Sequence, residues 1–200
     1  MAYIGTWPAT VGFRTVNFKA LSQTKQTTSQ SGRRVRISTA GTRFSATIQY
    51  PRMSLTNWKP IQAVATRLNG PLNSFDIVLP SVSENTSGAV GLTMTSSALG
   101  AGSNSITVST NLNNTTVFKA GDVVRFASHT KVYMLTADVT TNGTGNASLS
   151  ITPNLIEATT AAAVTFDAVP FRMTLANDIQ EYKYATDGTI AYEIDIIEEL

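Results

Sequence analysis

The 200-residue sequence has no cysteine. Disulfides and thiolate metal sites are therefore excluded, and stability has to come from packing or assembly. Histidine occurs once, at His129. With no second histidine at ligand spacing, no metal site is expected. No apolar run approaches the roughly 20 residues of a membrane helix. The opening MAYIGTWPATVGF lacks the basic, apolar and small-residue order of a signal peptide. The expectation is a soluble, unprocessed chain with no membrane partner.

Charge is also scarce, at 14% of residues, and acid is nearly missing from the first half. Residues 1–100 hold 10 Lys/Arg against 2 Asp/Glu, and residues 101–200 hold 5 against 11. The formal net charge of +2 thus hides halves of +8 and −6. A basic half is one mark of nucleic-acid binding. With an acidic half beside it, contact between the two within or between copies is the better expectation, and no specific nucleic-acid binding is expected.

What the chain does contain is Thr, Ser, Asn and alternating apolar residues, a β-protein composition. Phe118 to Leu155 is the most informative stretch. Val123 to Ala127, Lys131 to Ala137 and Ala147 to Thr152 read as successive strands of a small antiparallel sheet or barrel, closed by Pro153. Earlier, Val11, Phe13, Val16 and Phe18 are spaced for a strand pair, and Ser22 to Gln30 reads as a polar loop or arm that orders against a partner. Arg33 to Thr39 and Thr42 to Tyr50 read as strands joined at Ala40-Gly41. In the second, Phe44, Ala46, Ile48 and Tyr50 share one face.

One helix is expected over about residues 57–69, capped by Asn57 with Pro60 near its start. Trp58, Ile61, Val64, Ala65 and Leu68 form its apolar stripe, and Asn69-Gly70-Pro71 stops it. Phe75 to Leu79 should follow as a buried strand. From Pro80 the chain turns Ser/Thr/Gly-rich, with short alternating runs at Val90, Leu92 and Met94 and at Ile106 and Val108 that suit a small barrel. Ala158 to Ala163 reads as a link out of it. Phe171, Met173 and Leu175 then alternate in a strand. Tyr182 and Tyr184 lead to a hairpin turn at Asp187-Gly188, followed by Ile190, Tyr192, Ile194 and Ile196 in strict alternation.

This order predicts a mainly β chain of two domains. Residues 1–80 and 169–200 form a discontinuous β-sandwich-like domain with one α-helix, and residues 81–168 form an inserted small β-barrel or sandwich. Arg33, Arg34, Arg36 and Arg43 lie on early strands, whereas Glu193, Asp195, Glu198 and Glu199 lie on or after the last. They are the candidate subunit-interface charges.

No catalytic or cofactor-binding constellation is visible. His129 lies between two strands in Ser128-His129-Thr130, as a turn residue would. Gly100-Ala101-Gly102-Ser103 opens no helix and so lacks anion-binding geometry. The carboxylates Glu193, Asp195, Glu198 and Glu199 read as solvated residues of a terminal strand. Phe118, Phe126 and Tyr133, with Lys119, Arg125 and Lys131, are the residues a nucleic-acid-binding barrel would use, but their alternation fits core packing better. A carbohydrate-binding module would need exposed aromatics, and Trp7 and Trp58 lie outside the barrel.

Lys119-Ala120-Gly121-Asp122-Val123, then His129-Thr130-Lys131-Val132-Tyr133, the Asn142-Gly143 turn, Ile151-Thr152-Pro153-Asn154-Leu155 and Phe171-Arg172-Met173-Thr174-Leu175 occur in an order that resembles the distal tail proteins of long-tailed bacteriophages. The branch it resembles carries an inserted OB-fold domain. The resemblance implies a virion structural protein of the tail tip or baseplate, made in the host cytoplasm, without enzymatic activity or cofactors. It also implies a homohexameric ring, lined by the first domain with the barrel outside. That ring would join the tail tube protein to the tail hub or tip protein and to fibre or receptor-binding proteins. No catalytic or ligand residues carry over.

Overall fold

A computed structural model describes residues 2–199, with the side chains of residues 38–41 outside that description. The strands are β1 (Tyr3–Thr6), β2 (Thr15–Thr28), β3 (Arg34–Gln49), β4 (Met53–Ser54), β5 (Ser74–Val78), β6 (Met94–Ser96), β7 (Ser105–Thr110) and β8 (Thr116–Phe118). They continue as β9 (Val123–Phe126), β10 (Val132–Leu135), β11 (Val139–Thr140), β12 (Asn146–Thr152), β13 (Val164–Thr165), β14 (Pro170–Leu175), β15 (Tyr182–Tyr184) and β16 (Thr189–Glu198). The helix α1 spans Leu55–Arg67.

The strands outside residues 94–165 form one eight-stranded sheet in the order β1-β5-β14-β16-β3-β2. β4 and β15 both pair with β16, at its first residues. The expected alternation is realised: Phe44, Ala46, Ile48 and Tyr50 of the β3 edge, Phe171, Met173 and Leu175 of β14, and Ile190, Tyr192, Ile194 and Ile196 of β16 are all buried in one core. The helix stripe joins them, with Trp58, Ile61 and Leu68 fully buried. Trp58 meets the rings of Tyr182 and Tyr192 edge-on at 5.0 and 4.9 Å.

Between β6 and β13 the chain builds a six-stranded sheet in the order β13-β9-β10-β12-β7-β6. Its ends approach each other, since Ser96 N donates to Ala162 O at 2.9 Å and Thr95 bridges Ala163. The sheet is therefore a nearly closed barrel around its own core, which includes Ile106, Val108, Phe118, Phe126, Tyr133 and Leu149. The mainly β fold with one helix and a barrel thus agrees with the pattern read from the sequence. The three strands of the Phe118 to Leu155 stretch stand side by side as β9, β10 and β12.

Four local expectations are corrected. The helix begins at Leu55, not Asn57, because β4 pairs Met53 with Ile190 and Ser54 with Thr189 and runs straight into it. Pro60 consequently lies inside the helix and removes one backbone bond. The stop expected at Asn69-Gly70-Pro71 is observed, with Asn69 at φ 51° and Gly70 at φ 64°. The segment Ala158 to Ala163 is part of the barrel wall, because Thr159 pairs with Leu99 and Ala162 with Ser96. Val90 stays outside any strand and is 88% exposed.

The fourth correction concerns the β2–β3 ribbon. The turn expected at Ala40-Gly41 falls on residues outside the described side chains. On one side of it Arg43 to Gln49 pair with Leu21 to Thr15, and on the other Arg34 to Ile37 pair with Thr28 to Lys25. Both stretches run antiparallel to β2, so they cannot be the two arms of one hairpin. The true turn is at Ser29 to Arg33, where Ser29 N donates to Arg33 O. The polar Ser22 to Gln30 segment is therefore strand and turn, held by its pairing with β3.

Candidate functional site: the junction between sheet and barrel

β9 and β10 are apolar on both faces, as buried strands between two cores must be. Val124, Phe126, Tyr133 and Leu135 point into the barrel. Val123 and Val132 belong instead to the core of the eight-stranded sheet, with Met134 packed against it. One barrel wall thus serves two cores, and the remaining polar residues on that wall become the junction.

Lys131 and Glu198 form its centre, 1% and 0% exposed. Lys131 Nζ donates to Glu198 Oε2 and, at 2.9 Å, to Thr42 O. It also stands 4.9 Å from the centre of the Phe44 ring. Glu198 accepts two backbone bonds as well, from Phe44 N at 3.0 Å and Val132 N at 3.1 Å. One carboxylate therefore ties β3, β10 and β16 together, with its negative charge balanced and its lone pairs used. Burial pulls the Lys131 ammonium below the ordinary lysine range, and Glu198 opposes that pull. Arg43 adds a repulsive charge nearby, and its buried Nε has no hydrogen-bond partner.

A second cluster flanks the first. Asp76 lies directly across from Arg172 in the β5–β14 ladder. Arg172 Nε donates to Asp76 Oδ1 at 2.6 Å, and Tyr3 Oη donates to Oδ2 at 3.1 Å. The Arg172 guanidinium also covers the Tyr3 ring at 3.9 Å. From the barrel, Arg125 comes within 3.7 Å of the same carboxylate and donates to Pro170 O at 2.9 Å. Burial lowers the Arg125 guanidinium, with Asp76 opposing and Arg172 adding to the effect. For Arg172 burial also acts downward, but the hydrogen bond and charge of Asp76 prevail and raise it.

Other motif residues have architectural roles. Asp122 is 3% exposed and brackets its turn by accepting from Lys119 N, while also accepting from Thr86 N and Thr86 Oγ1. Gly121 takes φ +100°, a conformation glycine adopts without strain. Phe118, Phe126 and Tyr133 are fully buried, so none offers a stacking surface to a base or sugar. Trp7 and Trp58 are equally enclosed, in the core of the larger sheet.

His129 is 9% exposed, packed against Phe126 and Tyr133, with Nδ1 bonded to Ser128 Oγ and Nε2 unpartnered. Burial lowers its pKa, with Glu157 opposing. Between that lowered value and the ordinary 6.5, the unfolded chain binds the extra proton. The His129 contribution is therefore present above about pH 6.5 and is lost as pH falls below it. Denaturant midpoints measured against pH should show His129→Phe flattening this acid-side slope while leaving its sign at other groups unchanged.

Of the eight candidate interface charges, Arg43 and Glu198 lie at the junction around Lys131, and the others are spread apart. Arg33, Arg34 and Arg36 lie exposed near the tip of the β2–β3 ribbon. Glu193 accepts from Gln49 Nε2 and Asp195 from Thr47 Oγ1 on the exposed face near its base. Glu199 N caps β14 by donating to Arg172 O. Glu198 is a correction: it is fully enclosed within the chain, not solvated. The signal was present, because Glu198 continues the phase of Ile190, Tyr192, Ile194 and Ile196, the buried face of β16.

Residues 85–168, which contain the whole six-stranded barrel, match the family model of the B domain of distal tail protein pb9. The barrel is similar to this distal tail protein domain. This agrees with the family resemblance carried by the AGD, HTKVY and ITPNL motifs, and supports a structural role in the bacteriophage tail. Comparison with curated proteins gave no match. The distal-tail barrel is thus seated on the larger sheet through Lys131, whose motif gave the resemblance, and through Arg125.

Proposed function

We propose that this chain forms a homohexameric ring at the tail tip that joins the tail tube protein to the hub and to fibre or receptor-binding proteins. Residues 1–80 and 169–200 form the ring, and residues 81–168 are an inserted domain carried on its outside. The chain is made in the host cytoplasm and acts by geometry, not catalysis: the ring sets a sixfold platform on which successive components dock. The observation that carries the reading is the distal tail B-domain match over residues 85–168. The seating of that domain on the sheet by a buried ion pair supports it.

The charge distribution fits such a ring. Arg33, Arg34 and Arg36 of one copy would stand opposite Glu193, Asp195 and Glu199 of the next, as a head-to-tail interface repeats one pairing around a closed ring. Light scattering on the purified chain tests this. The expected mass is six times the 21.4 kDa of one chain, falling to smaller species in high salt. A single-chain mass at every concentration would refute it.

A further inference from the structure

The β2–β3 ribbon extends beyond the sheet that roots it. β16 pairs with β3 only from Ser45 to Gln49, whereas β2 and β3 remain paired with each other out to Thr28 and Arg34. The distal half therefore stands as a two-stranded ribbon open on both edges, and its described side chains, at residues 22–28 and 34–37, are exposed on both faces. A two-stranded hairpin is at best marginal by itself in water, and open edges invite pairing.

The ribbon is also chemically one-sided. Between residues 15 and 49 there is no Asp or Glu, while Lys25, Arg33, Arg34 and Arg36 lie toward the tip. Val35 and Ile37 share one face, 49% and 63% exposed, and Arg34 and Arg36 share the other. Such a surface fits a partner that is acidic with an apolar floor.

This chain has that surface at the other end of the ribbon. A groove of about 520 Å³ at the base is lined by Glu181, Glu193 and Asp195, with the 86% exposed Ile179 beside Tyr192. Arg14 and Lys183 also line it, but the segment 177–195 as a whole holds five acids against one lysine. From Gln49 to Arg34 the strand covers about 50 Å at roughly 3.3 Å per residue. Tip and groove of one chain therefore cannot meet. We infer that the ribbon is an arm that lodges in the groove of a second copy, with Val35 and Ile37 over Ile179 and the arginines against Glu181 and Glu193. Because the two surfaces differ and lie at opposite ends, the contact is head-to-tail and repeats from copy to copy. This rests on the ring reading and specifies what joins its members.

The absence of cysteine makes the test clean. In an Arg36→Cys, Glu181→Cys double variant, mild oxidation should give a ladder of covalent multimers, while either single variant gives at most dimers. Replacing residues 25–37 by Asn-Gly, which joins the paired positions 24 and 38, should reduce the light-scattering mass to that of one shortened chain with unchanged thermal unfolding. Arg34→Glu with Arg36→Glu should do the same without shortening the chain. A wild-type multimer that survives these changes and gives no ladder overturns the arm and leaves the ring standing. A wild-type chain that is monomeric throughout overturns both.

Discussion

Glu198→Ala destabilises the protein by about 3–5 kcal/mol, the loss expected when one member of a fully buried ion pair is removed. Lys131 is left as an uncompensated ammonium at 1% exposure, and the amides of Phe44 and Val132 lose their acceptor. Lys131→Met costs less, because the remaining carboxylate keeps both backbone donors. The double variant does not recover wild-type stability either. With both ions gone, the two amides remain buried without partners, at about 1–3 kcal/mol each. Urea unfolding measures the totals, and amide exchange at Phe44 and Val132 shows where the loss falls. Recovery of wild-type stability in the double variant would mean that Glu198 acts through charge alone.

Asp76→Ala is the second large effect, about 2–3 kcal/mol, reduced from the fully buried value because the arginines keep some contact with water. Arg172 loses two hydrogen bonds, at 2.6 and 3.3 Å, and Tyr3 loses one. Arg125, the barrel's member of the cluster, loses its nearest carboxylate and keeps only Pro170 O. Asp76→Asn should fall between wild type and Asp76→Ala, since it keeps an acceptor without the charge. Chemical denaturation ranks the three. A cost below about 0.5 kcal/mol for the alanine variant would reduce the cluster to an ordinary surface pair.

Both predictions concern residues whose side chains the sequence placed only in part. Alternation alone located the buried faces of the β3 base, β14 and β16, and the helix stripe from Trp58 to Leu68, because a period of two or 3.6 determines which residues share a face. The same rule located Glu198 on the buried face, but its partner came from another part of the chain, and a carboxylate near a terminus is ordinarily solvated. Nothing local distinguishes a lysine that enters a junction from one in a basic patch. Lys131 became legible only when β10 proved to serve two cores.

The long β2–β3 ribbon was hidden for a different reason. Ser22 to Gln30 has no apolar alternation because neither of its faces is buried, so the usual strand signal is missing even though β2 pairs with β3 out to Thr28. The barrel wall at Ala158 to Ala163 was similarly obscured, since its pairing uses backbone groups and asks little of the side chains. The family motifs were more informative than the periodicity there, and the match over residues 85–168 encloses the barrel they belong to.

Negative-stain imaging of the purified chain tests the central claim most directly. The account predicts closed rings with sixfold symmetry and a central channel, each with six peripheral densities contributed by the barrels. A field of single 21.4 kDa particles at high concentration, together with salt-sensitive binding of oligonucleotides, would contradict it.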